Sequence, residues 1–339
     1  MRITKSVQKL EAYVPGEQPK SPNVVKLNTN ENAYPPSPAC AEVLKGFDLD
    51  RLRRYPDPNF SALRAAIAKQ CRTVPERVFV GNGSDEILAV AAKAFVENDE
   101  KIGSLDPSYS LYKTLAAIRN VKWTGLDVTA STSLFLLTNP NAPTGEFREP
   151  SEIAAFAKKF KGVVIVDEAY GDFARGNCMK LAIAEDNRNI LVMRTFSKSF
   201  SLAGLRVGYC VGPKELIDAL VKVKDSYNVD AIAQAVALAA VRDVAWMKKN
   251  VKAIIETRER FTNELVKRGW DVIPSESNFV FARPPNGNRA EIVFTALKER
   301  NIFVRYFRGP KTGDRLRITI GTPAQMKKLL SALDKISKK

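Results

Sequence analysis

Not one of the 339 residues is histidine. This excludes Ser-His-Asp and Cys-His catalysis, and it removes the commonest ligand of transition metals. Acid–base work is left to lysine, tyrosine and carboxylates. Cysteine is sparse as well: Cys40, Cys71, Cys178 and Cys210 are widely separated and form no C-x-x-C pair. That spacing argues against a disulfide framework and against a thiolate zinc site, so reduced thiols of a cytoplasmic protein and no metal are expected. Long apolar runs are also missing. AIAQAVALAAV at 231–241 is too short to span a bilayer, and MRITKSVQKLEAY lacks the apolar centre of a signal peptide. A soluble protein without membrane partners is expected. There is no low-complexity tract or internal repeat, and 45% hydrophobic with 27% charged residues describes a globular chain.

Basic residues are in excess, 53 Lys and Arg against 37 Asp and Glu, for a net charge of +16. Such a field attracts anions. The cations are interspersed with carboxylates, and no RNP, zinc-finger or basic-helix signature accompanies them, so nucleic acid is not the expected partner. Small phosphorylated or dicarboxylic metabolites account for the charge equally well.

Short β-branched runs alternate with amphipathic segments through the middle of the chain. Strands are predicted at 78–80, 133–138, 163–167, 189–194 and 207–212, with helices at 85–96 and 150–160. This is the pattern of an α/β protein with a mostly parallel central sheet flanked by helices. Ligands of such sheets bind beyond the carboxyl ends of the strands. From about residue 230 long helices are expected over 230–248 and 249–268. Shorter elements follow at 278–282, 289–300, 302–305 and 316–320, and a closing helix starts at 323. The predicted division is an N-terminal arm (1–30), a large domain (31–230) and a smaller C-terminal α/β domain (231–339). The Pro-rich arm can be neither regular helix nor central strand.

The segment 194–209, RTFSKSFSLAGLRVGY, sets a lysine between serines with an arginine eight residues later. A lysine amine forms a reversible Schiff base with a carbonyl cofactor such as pyridoxal 5′-phosphate, whose phosphate then needs neutralising. Lys198 and Arg206 suit those tasks, with Thr195, Ser197 and Ser199 as hydroxyl donors. A solvated basic loop would read the same way. VFVGNGSDEIL at 78–88 is a strand, a Gly turn and a helix start, with Ser84 as N-cap; its backbone N–H groups make either an anion site or an ordinary capped helix. VVIVDEAY puts Asp167 at the end of a buried strand, where it needs a cationic partner; a protonated pyridine nitrogen is one. A metal-binding D-E pair would require a GxxxxGK[ST] loop, which is missing. Tyr170 and Asn141 are placed to bond a ring oxygen, and Tyr109 of DPSYSLY to stack on a ring, although a turn asparagine and a packed loop tyrosine look the same in sequence.

YVPGEQP, LNTNENAYPPSP, RRYPDP, GNGSDEIL, PSYSLY, NPNAPTG, VVIVDEAY, RTFSKSFSLAGLRVGY and LRITIGT occur in this order over almost the whole chain. The set resembles fold-type I pyridoxal-phosphate enzymes, specifically the histidinol-phosphate aminotransferase group. The resemblance implies that Lys198 carries the cofactor, that Asp167 pairs with the pyridine nitrogen, and that Asn141 and Tyr170 contact the ring oxygen while Tyr109 stacks. It implies a phosphate site from Gly83, Ser84, Asp85, Thr195, Ser197 and Arg206, completed by Tyr55 of a second subunit, and hence a homodimer with a shared site. Arg317, Arg305 and Tyr13 would hold the substrate anion, with Glu31, Asn32 and Asn141 bordering the substrate. The chain departs from the pattern at Ala142, where many members carry a second Asn, and at Ala33, where Pro often follows NEN. The implied reaction is amino-group exchange between L-histidinol phosphate and 2-oxoglutarate. Aromatic amino-acid transamination, threonine-phosphate decarboxylation and a non-catalytic basic binding role are the alternatives.

Overall fold

The computed structural model describes residues 3, 5–8, 10, 16–19, 23–285 and 289–337. Thirteen strands are present among them. These are β1 (Val25–Lys26), β2 (Val78–Gly81), β3 (Lys101–Ser104), β4 (Lys122–Thr124), β5 (Thr132–Thr138), β6 (Val163–Asp167), β7 (Ile190–Thr195), β8 (Gly208–Val211), β9 (Asp271–Ile273), β10 (Phe279–Arg283), β11 (Ile302–Phe303), β12 (Arg305–Tyr306) and β13 (Leu316–Thr319).

Seven of them form the large sheet in the order β2-β8-β7-β6-β5-β3-β4. The inner pairs are parallel, and β8 alone runs against its neighbours. Apolar residues along these strands point alternately to two cores, as the period of 2 requires. Phe135, Leu137, Val164, Val166 and Val192 enter one core, with the helices Ser61–Cys71 and Pro150–Lys159. Leu134, Leu136, Ile165, Leu191 and Met193 enter the other, beneath the helices Gly83–Phe95, Leu111–Ile118 and Lys214–Val223. Each such side chain, fully buried, contributes on the order of 1.5–3 kcal/mol. The α/β expectation holds, with helices on both faces. In register, Thr138 pairs with Asp167, Asp167 with Met193, and Thr195 and Gly81 both with Gly208. The polar strand ends therefore share one edge.

A second, antiparallel sheet has the order β12-β13-β10-β9. β1 pairs in parallel with β11, which ties the chain at residue 25 to the C-terminal part. The helix Ala231–Arg242 packs on Pro38–Lys45 and Ser61–Cys71. The helix break expected near 248 falls instead at Asp243, where the next helix, Val244–Lys267, begins. The reason is local: the Asp243 carboxylate accepts from the Trp246 N–H and caps that helix. Among the described residues no helix is long and apolar enough to cross a membrane.

Candidate active site

The sheet edge builds an anion cradle first. After β2 the chain turns at Gly83 with φ +79° and enters the helix Gly83–Phe95. A Cβ on Gly83 would stand 2.6 Å from Arg206 Nη2, and one on Gly208 would stand 2.6 Å from the Ser84 nitrogen. Only glycine lets the guanidinium and the helix start approach so closely. Ser84 lies within the first turn, and Asn82 occupies the cap position it was expected to fill. Arg206 Nη1 donates to Ser197 Oγ at 3.3 Å, Thr195 Oγ1 donates to Ser197 Oγ at 3.0 Å, and Arg206 Nη2 faces Asp85 at 3.4 Å. A guanidinium, two hydroxyls and a helix N-terminus thus converge on one spot.

Asp167 is 4% exposed. Tyr112 Oη donates to its Oδ2 at 2.8 Å and the Ala169 N–H to its Oδ1 at 3.0 Å. Burial nevertheless pushes its carboxyl up to about 6, against the pull of those donors. A cationic ring nitrogen at this position would reverse that penalty.

Lys198 Nζ donates to the Thr29 carbonyl at 3.2 Å. Burial, helped by Arg317, lowers this amine to about 8, and Glu31 and Asp85 oppose the shift. The loop carrying it is held from two sides. Asn32 Nδ2 donates to the carbonyls of Lys198 and Ser199, and Ser199 Oγ donates to Asp172 at 2.5 Å. Beneath, Arg194 pairs with Asp172 and grips the fully buried Glu168 through two nitrogens at 2.8 and 3.0 Å.

Tyr170 Oη accepts from Asn30 Nδ2 at 2.8 Å. Asn30, in the left-handed region at φ 55°, is fixed in turn by Thr319 of β13 and by Asn278. The small sheet therefore sets the position of a group on the large one. Tyr109 Oη donates to Asp85, and its ring stands edge-to-face with Tyr112 at 5.6 Å.

A cavity of about 260 Å³ collects Lys198, Asp167, Tyr170, Tyr109, Arg206 and Arg317. It adjoins a second of about 370 Å³ that shares Tyr109, Ala142 and Arg317 and adds Arg305, Lys113 and Lys311. Arg305 and Arg317 are direct cross-strand partners on β12 and β13. Like charges placed opposite each other repel, which is useful where an anion lies between them. The guanidinium of Arg317 also packs on the rings of Phe279 and Phe307 and donates to the Asn28 carbonyl.

Three expected residues stand elsewhere. Asn141 does not face the cavity: its Nδ2 donates to Pro107 O and Thr144 Oγ1, its Oδ1 accepts from Ser108, and Ala142 forms the wall. The reason is that the turn closes on its own asparagine. Asn32 works through the Lys198 backbone. Tyr55 is 79% exposed and stacked on Tyr227, away from the cavity of its own chain. Tyr13 lies outside the described residues. Tyr112, Asn30 and the pair Glu168–Arg194 were not anticipated. The only signal for Tyr112 was its closeness in sequence to Tyr109, which stands in the loop before the helix Leu111–Ile118 that carries Tyr112.

A model of the family described as aminotransferase class I and II matches residues 22–333. The chain belongs to that family. Histidinol-phosphate aminotransferase of Acetobacter pasteurianus is 45% identical, over 96% of this chain and 95% of the relative. The enzyme of the same name from Geotalea daltonii is 41% identical over 99% of both chains. The crystal structure of histidinol-phosphate aminotransferase from Sinorhizobium meliloti, in complex with pyridoxal-5′-phosphate, superposes with a TM-score of 0.88 at 23% identity, covering 99% of this chain and 97% of that one. Pyridoxal 5′-phosphate fits the residues present. The cradle left by Gly83 and Gly208 would take its phosphate, Asp167 its ring nitrogen, Tyr170 its ring oxygen, and Lys198 its carbonyl carbon.

Proposed function

We propose that this aminotransferase exchanges an amino group between L-histidinol phosphate and 2-oxoglutarate, giving imidazole acetol phosphate and glutamate. The reading rests on the name shared by near-full-length relatives and on one observation: the paired arginines 305 and 317 open onto the cavity that holds Lys198. Bound pyridoxal phosphate supplies an electron sink for the bond electrons at the substrate Cα.

The chain's own groups do the rest. Arg206, Thr195, Ser197 and the backbone at Gly83 and Ser84 hold the cofactor phosphate, with Asp85 orienting Arg206. Asp167 keeps a proton on the ring nitrogen, and Tyr170 donates to the ring oxygen while it accepts from Asn30. Tyr109 covers one ring face. Lys198, an amine lowered to about 8, would take the substrate Cα proton and deliver it to the cofactor carbon that holds the nitrogen, and would run the same transfer backwards in the second half-reaction. Arg305 and Arg317 bind the substrate phosphate and, in the second half-reaction, a carboxylate of 2-oxoglutarate. Tyr13 assists them from the arm.

The working form is a cytoplasmic homodimer. Tyr55 and its neighbours Leu49 and Leu52 are exposed by 50% or more. That is the expected state, before assembly, of a face covered by a second copy, whose phosphate site Tyr55 would reach.

The deciding experiment follows the near-UV/visible spectrum of the cofactor-loaded protein as histidinol phosphate, phenylalanine, tyrosine and threonine phosphate are added separately. Conversion to the amine form of the cofactor by histidinol phosphate alone, reversed by 2-oxoglutarate, is expected. Equal conversion by the aromatic amino acids would move the function to aromatic transamination. Turnover by Lys198→Ala would remove the lysine from the mechanism.

A further inference from the structure

Tyr112 has no exposed surface. Its phenol nevertheless keeps two polar partners inside the sheet edge, Thr138 Oγ1 at 2.5 Å and Asp167 Oδ2 at 2.8 Å. A phenol has one proton. Since Asp167 only accepts when ionised, the Tyr112 proton goes to the carboxylate and the Thr138 hydroxyl must donate to Tyr112. Ser108 Oγ lies 3.3 Å from Thr138 Oγ1 and donates to Asn141 Oδ1 at 2.9 Å. Ser108 directs its proton to Asn141, so the chain of donors starts at Thr138 and runs through Tyr112 to the carboxylate. Packing alone asks for no hydroxyl here, because phenylalanine would fill the same volume without burying a polar group.

We infer that Tyr112 is a positioning residue for the reaction: by donating to Asp167, with Thr138 behind it, it holds the carboxylate ionised and aimed, and so keeps the proton on the cofactor's ring nitrogen. The inference rests on the pairing of Asp167 with that nitrogen proposed above. A hydrogen bond to the charged form of an acid lowers its proton affinity. Removing the donor makes Asp167 the stronger base, draws the proton off the ring and weakens the electron sink. Successive donors in one direction reinforce each other, so the loss of Thr138 acts in the same sense and more weakly.

The test uses holoenzyme loaded with pyridoxal phosphate carrying ¹⁵N in the ring, in wild type, Tyr112→Phe, Thr138→Val and Asp167→Asn. In Tyr112→Phe the ring-nitrogen resonance is expected to move toward neutral pyridine. Its kcat should fall about ten- to a hundredfold, the worth of a hydrogen bond to a charged group, with KM for histidinol phosphate nearly unchanged. Thr138→Val should show a smaller shift of the same sign. Asp167→Asn separates the two ideas. If it leaves the resonance in place, the pairing itself is wrong and the inference falls with it. If it moves the resonance while Tyr112→Phe does not, Tyr112 is a core tyrosine and only the inference is overturned. A Tyr112→Phe variant that raises KM at constant kcat would overturn it equally. Should Tyr112→Phe fail to fold, Thr138→Val decides: a shift supports the chain of donors and an unmoved resonance refutes it.

Discussion

Replacing Lys198 by methionine should make the cofactor-free protein more stable while abolishing its chemistry. The side chains have similar length and packing volume, so the main change is the lost charge. Burial, with Arg317 nearby, brings the Lys198 amine from 10.5 to about 8. The unfolded chain holds this proton up to about pH 10.5 and the folded protein only to about pH 8. The folded state is therefore penalised in full below pH 8, and the penalty vanishes as pH rises through 8 to 10.5. A depression of that size corresponds to about 3 kcal/mol. The amine lines a cavity and is partly exposed, so solvent screening reduces the effect to about 2 kcal/mol. Its one hydrogen bond, to the Thr29 carbonyl, subtracts a few tenths to about 1 kcal/mol. Urea unfolding of the apo proteins at pH 7 should thus place Lys198→Met about 1–2 kcal/mol above wild type. The gap should close by about pH 10.5. A variant no more stable than wild type at pH 7, or a gain independent of pH, would refute the assignment of a strained, desolvated ammonium.

Three further outcomes follow from the geometry. Gly83→Ala puts a Cβ 2.6 Å from Arg206 Nη2 at φ +79°, and strain of about 1–3 kcal/mol should weaken pyridoxal-phosphate binding about tenfold or more in an absorbance titration; an unchanged Kd would mean that Arg206 is not part of the cradle. Dimers reassembled from Lys198→Ala and Tyr55→Ala chains should regain activity above either parent, because one of the two sites in each mixed dimer is intact. Failure to do so, with mixed dimers demonstrated by mass spectrometry, would remove Tyr55 from the site. Arg194→Met leaves the buried Glu168 and the partly exposed Asp172 without their shared cation and should cost about 3–5 kcal/mol in urea unfolding, most of it from Glu168; a loss under about 1 kcal/mol would show that the network does not hold up the Lys198 loop.

The parts legible in the sequence are those that chemistry restricts to one residue type or that a period reveals. Asp167 could be read because a carboxylate ending a buried apolar strand needs a partner, while Lys198 and Arg206, in a loop that a solvated basic segment would match, were singled out by their residue types and line the same cavity. The strands from 78 to 211 could be read because buried parallel strands are continuous apolar runs. Asp243 escaped because one capping carboxylate overrode an unbroken run of helix-forming residues on either side of it. β1 has two residues, too few to carry any period, and its pairing with β11 spans nearly the whole chain. Asn141 and Ala142 are adjacent, and only the backbone of the turn decides which faces the cavity. Tyr112 and Asp167 lie 55 residues apart, beyond the reach of any local pattern.

The cavity holds an acid and a base displaced from their ordinary values in opposite directions, the carboxyl of Asp167 up to about 6 and the amine of Lys198 down to about 8. If the two formed an ion pair, each would favour the other's charge and the shifts would have the opposite signs. Burial dominates both, so they are separate sites with separate needs. A ligand that relieves both must bring a cation to Asp167 and react with the amine at Lys198, and it must also present an anion to the cradle beside Gly83. A simple amino acid satisfies none of these three demands together. On the proposed reading the charge pattern selects the cofactor before the substrate enters, and leaves Arg305 and Arg317, on the far sheet, to select the substrate by its own anion. Asn30, held by Thr319 and bonded to Tyr170, links the small sheet to the large one through one buried side chain, so on the proposed reading the two selections share that contact.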